Sequence, residues 1–422
     1  MSPRSSNKII SQNVSAVFNP NAAGIDVGAT ELYVAVPPDR TEKQVRCFGT
    51  FTEDLVALAE WLKSCNIRSV AMESTGVYWI PLFQILEDRG FEVCLVNARH
   101  VKNVPGRKTD VSDCQWLQYL HSVGLLRGSF RPAQEVCAVR SLIRHRDTMV
   151  KLVSVHVQHM QKALTQMNLQ LHHVISDITG VTGLAIIEAI LQGERDPDHL
   201  AEFRDRRIKA SKETIAKSLV GDYRLEHLFT LQQSLKSYQH FQALITECDQ
   251  KVKTLLSAFD SQVNPTEKPL PSIAKPSAKK TVELRTELYR ITGVDLTAIP
   301  GIQATTVHAL FAEIGRDISK FASSKHFASW LGLCPDNRIS GGRILSVQTK
   351  TVKNRAATAL RMAAVSLFRS DTALGGFFRR MRAKLGTPKA ITATAHKLAR
   401  IIYHLLTTKT PYDQTCFARR EQ

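Results

Sequence analysis

Gly24-Ile-Asp-Val-Gly28, Glu31-Leu-Tyr-Val-Ala-Val36 and Gln44-Val-Arg-Cys-Phe-Gly49 decide how the first part of the chain folds. Each run is short and rich in β-branched or aromatic residues, and Gly28-Ala-Thr30 makes a turn after the first. They read as three consecutive strands of an antiparallel meander. An amphipathic helix capped by Thr52 is expected over 52–62, with Leu55, Leu58, Ala59 and Leu62 at helical spacing. Beyond it, 69–73 reads as a fourth strand, 77–89 as a second helix and 91–96 as a fifth strand. A third helix is expected from about 112 to 123.

Further along, the periodicity changes. Val139, Ile143, Val150, Val153, Val157, Met160, Leu164, Met167 and Leu171 follow an alternating four-and-three spacing broken only at Arg146. Leu231, Leu235, Tyr238, Ile245, Val252 and Leu256 form a second seam, interrupted by Gln242 and Asp249. A seam of this period keeps one stripe facing a partner helix, so both read as coiled-coil arms. They could pair with each other in an antiparallel hairpin or with other subunits. Between them, Ile178-Thr-Gly-Val-Thr-Gly183 opens an apolar helix, and Ile299-Pro-Gly-Ile302 opens another later; both resemble half of a helix-hairpin-helix. The Pro-, Lys- and Ser-rich stretch 260–281 reads as a linker.

The 422 residues suffice for two or three domains, and 43% apolar content suffices for a core. The formal charge of +18 is uneven: from Gly301 onward, 20 Lys or Arg face 6 Asp or Glu, leaving +4 for the first 300 residues. A local excess of this kind points to a polyanion, with nucleic acid first in line. No run of about 18 apolar residues could span a bilayer, and no apolar signal core follows Met1. The eight cysteines form no CxxC pair or Cys/His cluster, which argues against structural zinc and for a reducing compartment. A cytoplasmic protein with no membrane partner is the expectation.

Four acids carry the candidate chemistry. Asp26 lies in the first strand, Glu73 ends the fourth, and Asp110 and Asp113 begin the third helix. Adjacent first and fourth strands would bring Asp26 to Glu73, and residues three apart on a helix can point at one spot. Four convergent carboxylates need a compensating cation, and hard oxygen donors favour magnesium, or manganese in its place. Two such ions could hold the attacking and leaving oxygens of a phosphodiester. Arg107 and Lys108, just ahead of Asp110, would draw in the substrate backbone. Taken singly, each acid has a plainer reading: Asp-Val-Gly is common in turns and opens the phosphate loop of actin-like kinases, Asp110 suits an N-cap, and Asp113 suits the helix dipole.

Near the C-terminus, Ser340-Gly-Gly342 lies between Arg338 and Arg343. Glycines after a serine leave its hydroxyl open to a bulky anion, and the arginines could stabilise a phosphorane-like transition state. Ser-Gly-Gly is also a frequent turn. Lys350, Lys353, Arg355 and Arg361 are expected on a following helix, with Phe377-Phe-Arg-Arg-Met-Arg382 and His396, Lys397 and Arg400 beyond; so dense a set of cations suits phosphates.

Gly24-Ile-Asp-Val-Gly28, Met72-Glu-Ser-Thr-Gly-Val-Tyr-Trp79 and Arg107-Lys-Thr-Asp-Val-Ser-Asp113 resemble the N-terminal domain of the DEDD transposases of bacterial insertion sequences, the insertion-sequence one-ten group. Ile299-Pro-Gly-Ile302, Leu331-Gly-Leu-Cys-Pro335 and Ser340-Gly-Gly342 resemble its C-terminal domain. The resemblance implies a RuvC-like, ribonuclease-H-like N-terminal domain with a magnesium site at Asp26, Glu73, Asp110 and Asp113. It further implies Ser340 as a nucleophile that forms a phosphoserine link to DNA. Donor and target DNA, a non-coding guide RNA and a homo-oligomer (dimer or tetramer) are the implied partners, with the serine of one subunit meeting the acids of another. The long central region with its Gly-turn insert departs from the shortest members. The expected fold is therefore α/β plus α. A tail (1–20) precedes a RuvC-like domain (21–132), central arms (133–259), the linker (260–281), a mainly helical serine-bearing domain (282–410) and a second tail (411–422). The expected activity is DNA recombination; the rival is a magnesium-dependent nuclease or Holliday-junction resolvase in which water attacks.

Overall fold

The computed structural model describes residues 17–97, 110–271, 279–346, 348–349 and 352–414. The chain divides into two compact units, Met1–Arg131 and Pro132–Gln422.

The first unit is built on a five-stranded mixed sheet. Its strands are β1 (Ala22–Val27), β2 (Glu31–Ala35), β3 (Val45–Gly49), β4 (Ser69–Glu73) and β5 (Glu92–Val96), in the spatial order β3-β2-β1-β4-β5. β1, β2 and β3 run antiparallel, while β4 and β5 are parallel to β1. One face is covered by α1 (Thr52–Ser64) and α2 (Trp79–Asp88), whose Leu55, Leu58, Leu62, Leu82 and Leu86 join Ile25, Val34, Val70 and Met72 in the core. Across the other face lies α3 (Asp110–Ser122). β1 is central and covered on both sides, so it is buried almost throughout and shows no polar alternation. At the end of the expected tail, Phe18 and Asn19 donate their backbone N–H groups to Ser122 O at 2.9 Å, and residues 1–16 lie outside the described residues. A helix C-terminus leaves carbonyls without intrahelical partners, and these residues satisfy one of them.

In the second unit, α4 (Gln134–Gln166) and α9 (Leu225–Ser257), each 33 residues long, pair with one another. His156 stacks on Phe241 with centroids 5.5 Å apart, and Arg146 is ion-paired to Asp249, so the helices run antiparallel. Two of the three residues that interrupted the sequence seams, Arg146 and Asp249, thus satisfy each other. The seam departs from expectation in two places: Val150 is exposed while Met149 is buried against Ile245 and Cys248, and Met167 and Leu171 fall beyond the end of α4 at Gln166. Four-and-three spacing fits two adjacent stripes, and contact with α9 selects the one through 146, 149 and 153. Between the arms, α5 (Leu171–Val174), α6 (Val181–Leu191), α7 (Pro197–Glu202) and α8 (Lys212–Ser218) form a small helical head with its own core.

The expected linker is not loose over its described part. Arg290 of α10 (Lys279–Thr292) donates to Leu256 O, Phe259 O and Ser261 Oγ, and Arg285 donates to Pro271 O, holding the segment along that helix. Residues 272–278 lie outside the described residues. α11 (Ala304–Ile314) ends on arginines from α4: Arg140 donates to Ala312 O and Glu313 O, and Arg144 pairs with the buried Glu313 carboxylate at 2.8 Å. These contacts hold the serine-bearing part to the base of the arms. It continues through α12 (Ser324–Trp330), the hairpin β6 (Arg338–Ser340) and β7 (Arg343–Ser346), α13 (Arg355–Ser366), α14 (Ala373–Leu385) and α15 (Thr387–Thr408). Among the described residues, no helix is long and apolar enough to cross a membrane.

Candidate active site

The acids are carried by β1, β4 and α3. In the parallel ladder Ile25 is level with Met72, so Asp26 and Glu73 stand one residue further along, on neighbouring strands. Ile25 and Met72 face the α1/α2 core, and side chains alternate along a strand, so the two acids share the opposite face, that of α3. Gly24, two residues before Asp26, lies on the same face. A Cβ there would sit 2.3 Å from Cys114 O and Gln118 N, while Gln118 Nε2 donates to Ala22 O at 3.3 Å. α3 therefore runs antiparallel to β1 with its N-terminus beside Asp26. Two strand residues advance about 6.6 Å and a helix rises about 1.5 Å per residue. Asp26 is thus level with a point roughly four residues N-terminal of the Gly24 contact, where the helix begins with Asp110 and Asp113.

Cys114 lies near two of these acids, Asp26 and Asp113. Burial pushes its thiol up to about 12, and the Asp26 and Asp113 carboxylates push the same way. A thiol held neutral in this way is packing material and no nucleophile. Asp26, Glu73 and Asp113 are all partly exposed, and Glu73 accepts from Thr75 Oγ1 at 3.3 Å. Among the described residues no three His, Cys, Asp or Glu side chains already converge on one metal-sized point. The side chain of Asp110 lies outside that description, as do Arg107 and Lys108. Neither Glu73 nor Asp113 is in an ion pair among the described residues, and the donors are all hard carboxylate oxygens. This donor set fits magnesium or manganese.

Ser340 stands at the tip of a two-residue hairpin. Its register partner is Arg343, and Gly341 and Gly342 between them have φ +54° and +73°. Positive φ at both central residues is what a type I′ turn demands, so Gly-Gly is required by the backbone. The expectation that these glycines admit a bulky group is secondary, because a Cβ on either would meet nothing within 4 Å. Ser340 is exposed, and its hydroxyl has no hydrogen-bond partner among the described residues. Opposed residues of an antiparallel pair share a face, which sets the exposed Arg343 beside the hydroxyl. A register shift interrupts the ladder between Arg338 and Ile339, and the Arg338 side chain lies outside the described residues.

The cations beyond the hairpin differ from expectation. α13 begins only at Arg355, because the Asn354 side chain caps it by accepting from Ala357 N, so the exposed Lys353 precedes the helix. Arg355 is ion-paired with Asp147 of α4 at 2.5 Å, which commits part of its guanidinium to holding the fold. Lys350 lies outside the described residues. Sequence reasoning missed Gly24 as a positioning residue. A glycine inside a strand, two residues from the candidate acid, signals close backbone approach.

Residues 23–169 match the model of the DEDD domain of IS110 transposases, and residues 295–378 match that of the transposase IS116/IS110/IS902 family. Curated relatives include the pilin gene-inverting proteins of Moraxella bovis and Moraxella lacunata. Each is 34% identical over 123 residues, which is 28% of this chain and 38% of the relative. The chain thus aligns with well under half the length of these relatives.

Proposed function

From the premise that this chain belongs to the IS110 family of transposases, whose two domain models between them take in more than half of it, we propose that it cuts and rejoins DNA through Ser340. The observation that carries the reading is the placement of that hydroxyl, exposed on a glycine-defined hairpin tip beside Arg343. Ser340 Oγ attacks a backbone phosphorus. An Oγ–P bond forms, the bond from phosphorus to a deoxyribose oxygen breaks, the serine proton leaves to solvent, and the departing sugar oxygen takes up a proton. Attack on the phosphoserine by another sugar hydroxyl restores the serine, so energy is conserved without a high-energy cofactor. Arg343 holds charge on the pentacoordinate phosphorus.

Asp26, Glu73, Asp110 and Asp113 would hold magnesium, which when bound neutralises charge on the phosphate and on the oxygens exchanging around it. The mixed-sheet order β3-β2-β1-β4-β5, with α3 bringing acids to the ends of β1 and β4, supports a RuvC-like domain. On this reading the acids of one copy and the serine of another complete the site. The arm seams give no support to an oligomer, since they are used within one chain. Donor and target DNA are the substrates on this reading, and a guide RNA from the same element is its targeting partner.

Incubation with cleavable DNA and magnesium, followed by denaturation, tests the chemistry. Wild-type protein should retain a covalent DNA adduct, Ser340→Ala none, and Asp26→Asn none with an unchanged melting temperature. Cleavage without any adduct would assign the attack to water and make the protein a nuclease or resolvase. Sequencing of co-purified RNA tests the guide; a discrete species is expected.

A further inference from the structure

An open cleft of about 1650 Å³ lies within the second unit, between α15, α14 and β7. Small-molecule sites occupy roughly 300–1,000 Å³, so this one suits a stretch of polymer. Lys389, His396, Lys397, Arg400 and His404 line it from α15 at spacings that share one helix face. Among the described residues lining it there is no Asp or Glu. Burial, with the charges of Arg380 and Arg400 adding to it, holds the Lys397 ammonium below its usual range. Aromatic surface lies among these charges. Lys397 Nζ sits 4.5 Å from the centre of the Phe377 ring, and Tyr403 is fixed by donating its hydroxyl to Phe321 O at 2.8 Å. Cations alternating with ring faces, unrelieved by acids, are the chemistry that grips unpaired nucleic acid, with phosphates on the charges and bases on the rings.

The cleft also has a direction. Leu345 and Ser346 of β7 form part of its wall, and Leu345 is two residues, roughly 7 Å, from Arg343, the register partner of Ser340. We propose that this cleft holds an unpaired DNA strand and leads it to Ser340, with Lys389, Lys397 and Arg400 on successive phosphates and Phe377 under a base. The assignment rests on the serine reading above. Its test measures binding and not adduct formation, so the two can fail separately.

The experiment measures the affinity of full-length protein for oligothymidine over a salt series by fluorescence anisotropy. Each phosphate contact to a single strand contributes about 0.7 to the slope of log K against log salt. The triple variant Lys389→Gln, Lys397→Gln, Arg400→Gln should lower that slope by about 2. The same charge change on the helical head, Arg206→Gln, Lys209→Gln, Lys217→Gln, should leave it unchanged. The charge-conserving set Lys389→Arg, Lys397→Arg, Arg400→Lys should restore it, which separates charge from folding. Phe377→Leu should weaken oligothymidine binding about tenfold, near the value of one stacked base, and leave duplex binding unchanged. An unaltered slope in the cleft variant, an equal fall in the head variant, or a failure of the charge-conserving set to bind would overturn the proposal. A slope lost only on oligouridine would give the cleft to RNA and overturn it equally.

Discussion

Gly24→Ala tests whether the spacing of one helix from one strand sets the acidic site. The added methyl would stand 2.3 Å from both Cys114 O and Gln118 N, where an ordinary contact begins at 3.4 Å. Both obstacles are backbone atoms, so no side chain can swing away and α3 must retreat from β1 by roughly 1 Å. Overpacking of this kind costs about 1–3 kcal/mol, and a unit of this size loses roughly 3–5 °C of melting temperature per kcal/mol. The functional cost is larger in proportion, because the same retreat carries Asp110 and Asp113 away from Asp26 and Glu73. Misplacement by about 1 Å in a reacting constellation costs on the order of 100-fold in rate. The assay is the rate of covalent adduct formation at 25 °C, well below melting, beside calorimetry. Gly49→Ala is the matched control. Its methyl also meets an atom at 2.3 Å, but that atom is the Asp54 carboxylate, which can rotate at the cost of its 3.2 Å bond from Phe51 N, about 1 kcal/mol. Gly49→Ala should therefore melt slightly lower and react at the wild-type rate. A wild-type rate in folded Gly24→Ala, or equal damage in the control, would refute the reasoning.

Three other perturbations have defined outcomes. Gly341→Asn should keep adduct formation, because Asn tolerates φ +54° and Asn-Gly suits a type I′ turn; Gly341→Val should lose it, with strain of about 1–2 kcal/mol confined to the hairpin, as circular dichroism of the whole chain would verify. A double-mutant cycle on Arg146→Leu and Asp249→Leu, read by denaturant unfolding, should return a coupling of about 0.5–3 kcal/mol, with the double variant near wild type in stability. Burial, with the Arg146 charge adding to it, pushes the imidazole of His308 on α11 down to about 4, and its Nε2 is buried without a partner among the described residues. The native state then binds fewer protons than the unfolded state between about pH 6.5 and 4, so stability falls as pH drops through that window, by up to about 3 kcal/mol. His308→Leu should flatten the melting temperature across it, and an unchanged slope would contradict the neutral buried imidazole.

Much of the first unit was legible because its signals are local. Runs of β-branched residues between turn signals locate β1, β2, β4 and β5 to within a residue or two, and the spacing of Leu55, Leu58 and Leu62 locates α1. Asp26, Glu73 and Asp113 could be assigned to elements for the same reason, and Gly-Gly after Ser340 specified a turn because the backbone there needs positive φ. Four-and-three spacing marked 139–171 and 231–256 as seamed helices, and the first of these ends at Gln166. It could not choose between Val150 and Met149, nor between a neighbour in the same chain and one in another. Only packing decided these, since adjacent stripes of a helix differ by what they meet across the interface. Tertiary structure likewise turned Arg146 and Asp249 from two interruptions into one ion pair, drew part of a supposed linker onto Arg285 and Arg290, and bound Arg355 to Asp147. Periodicity records how a residue sits within its own element. The free energy of an encounter between elements distant in sequence depends on both surfaces at once, and one stretch of chain carries only half of it.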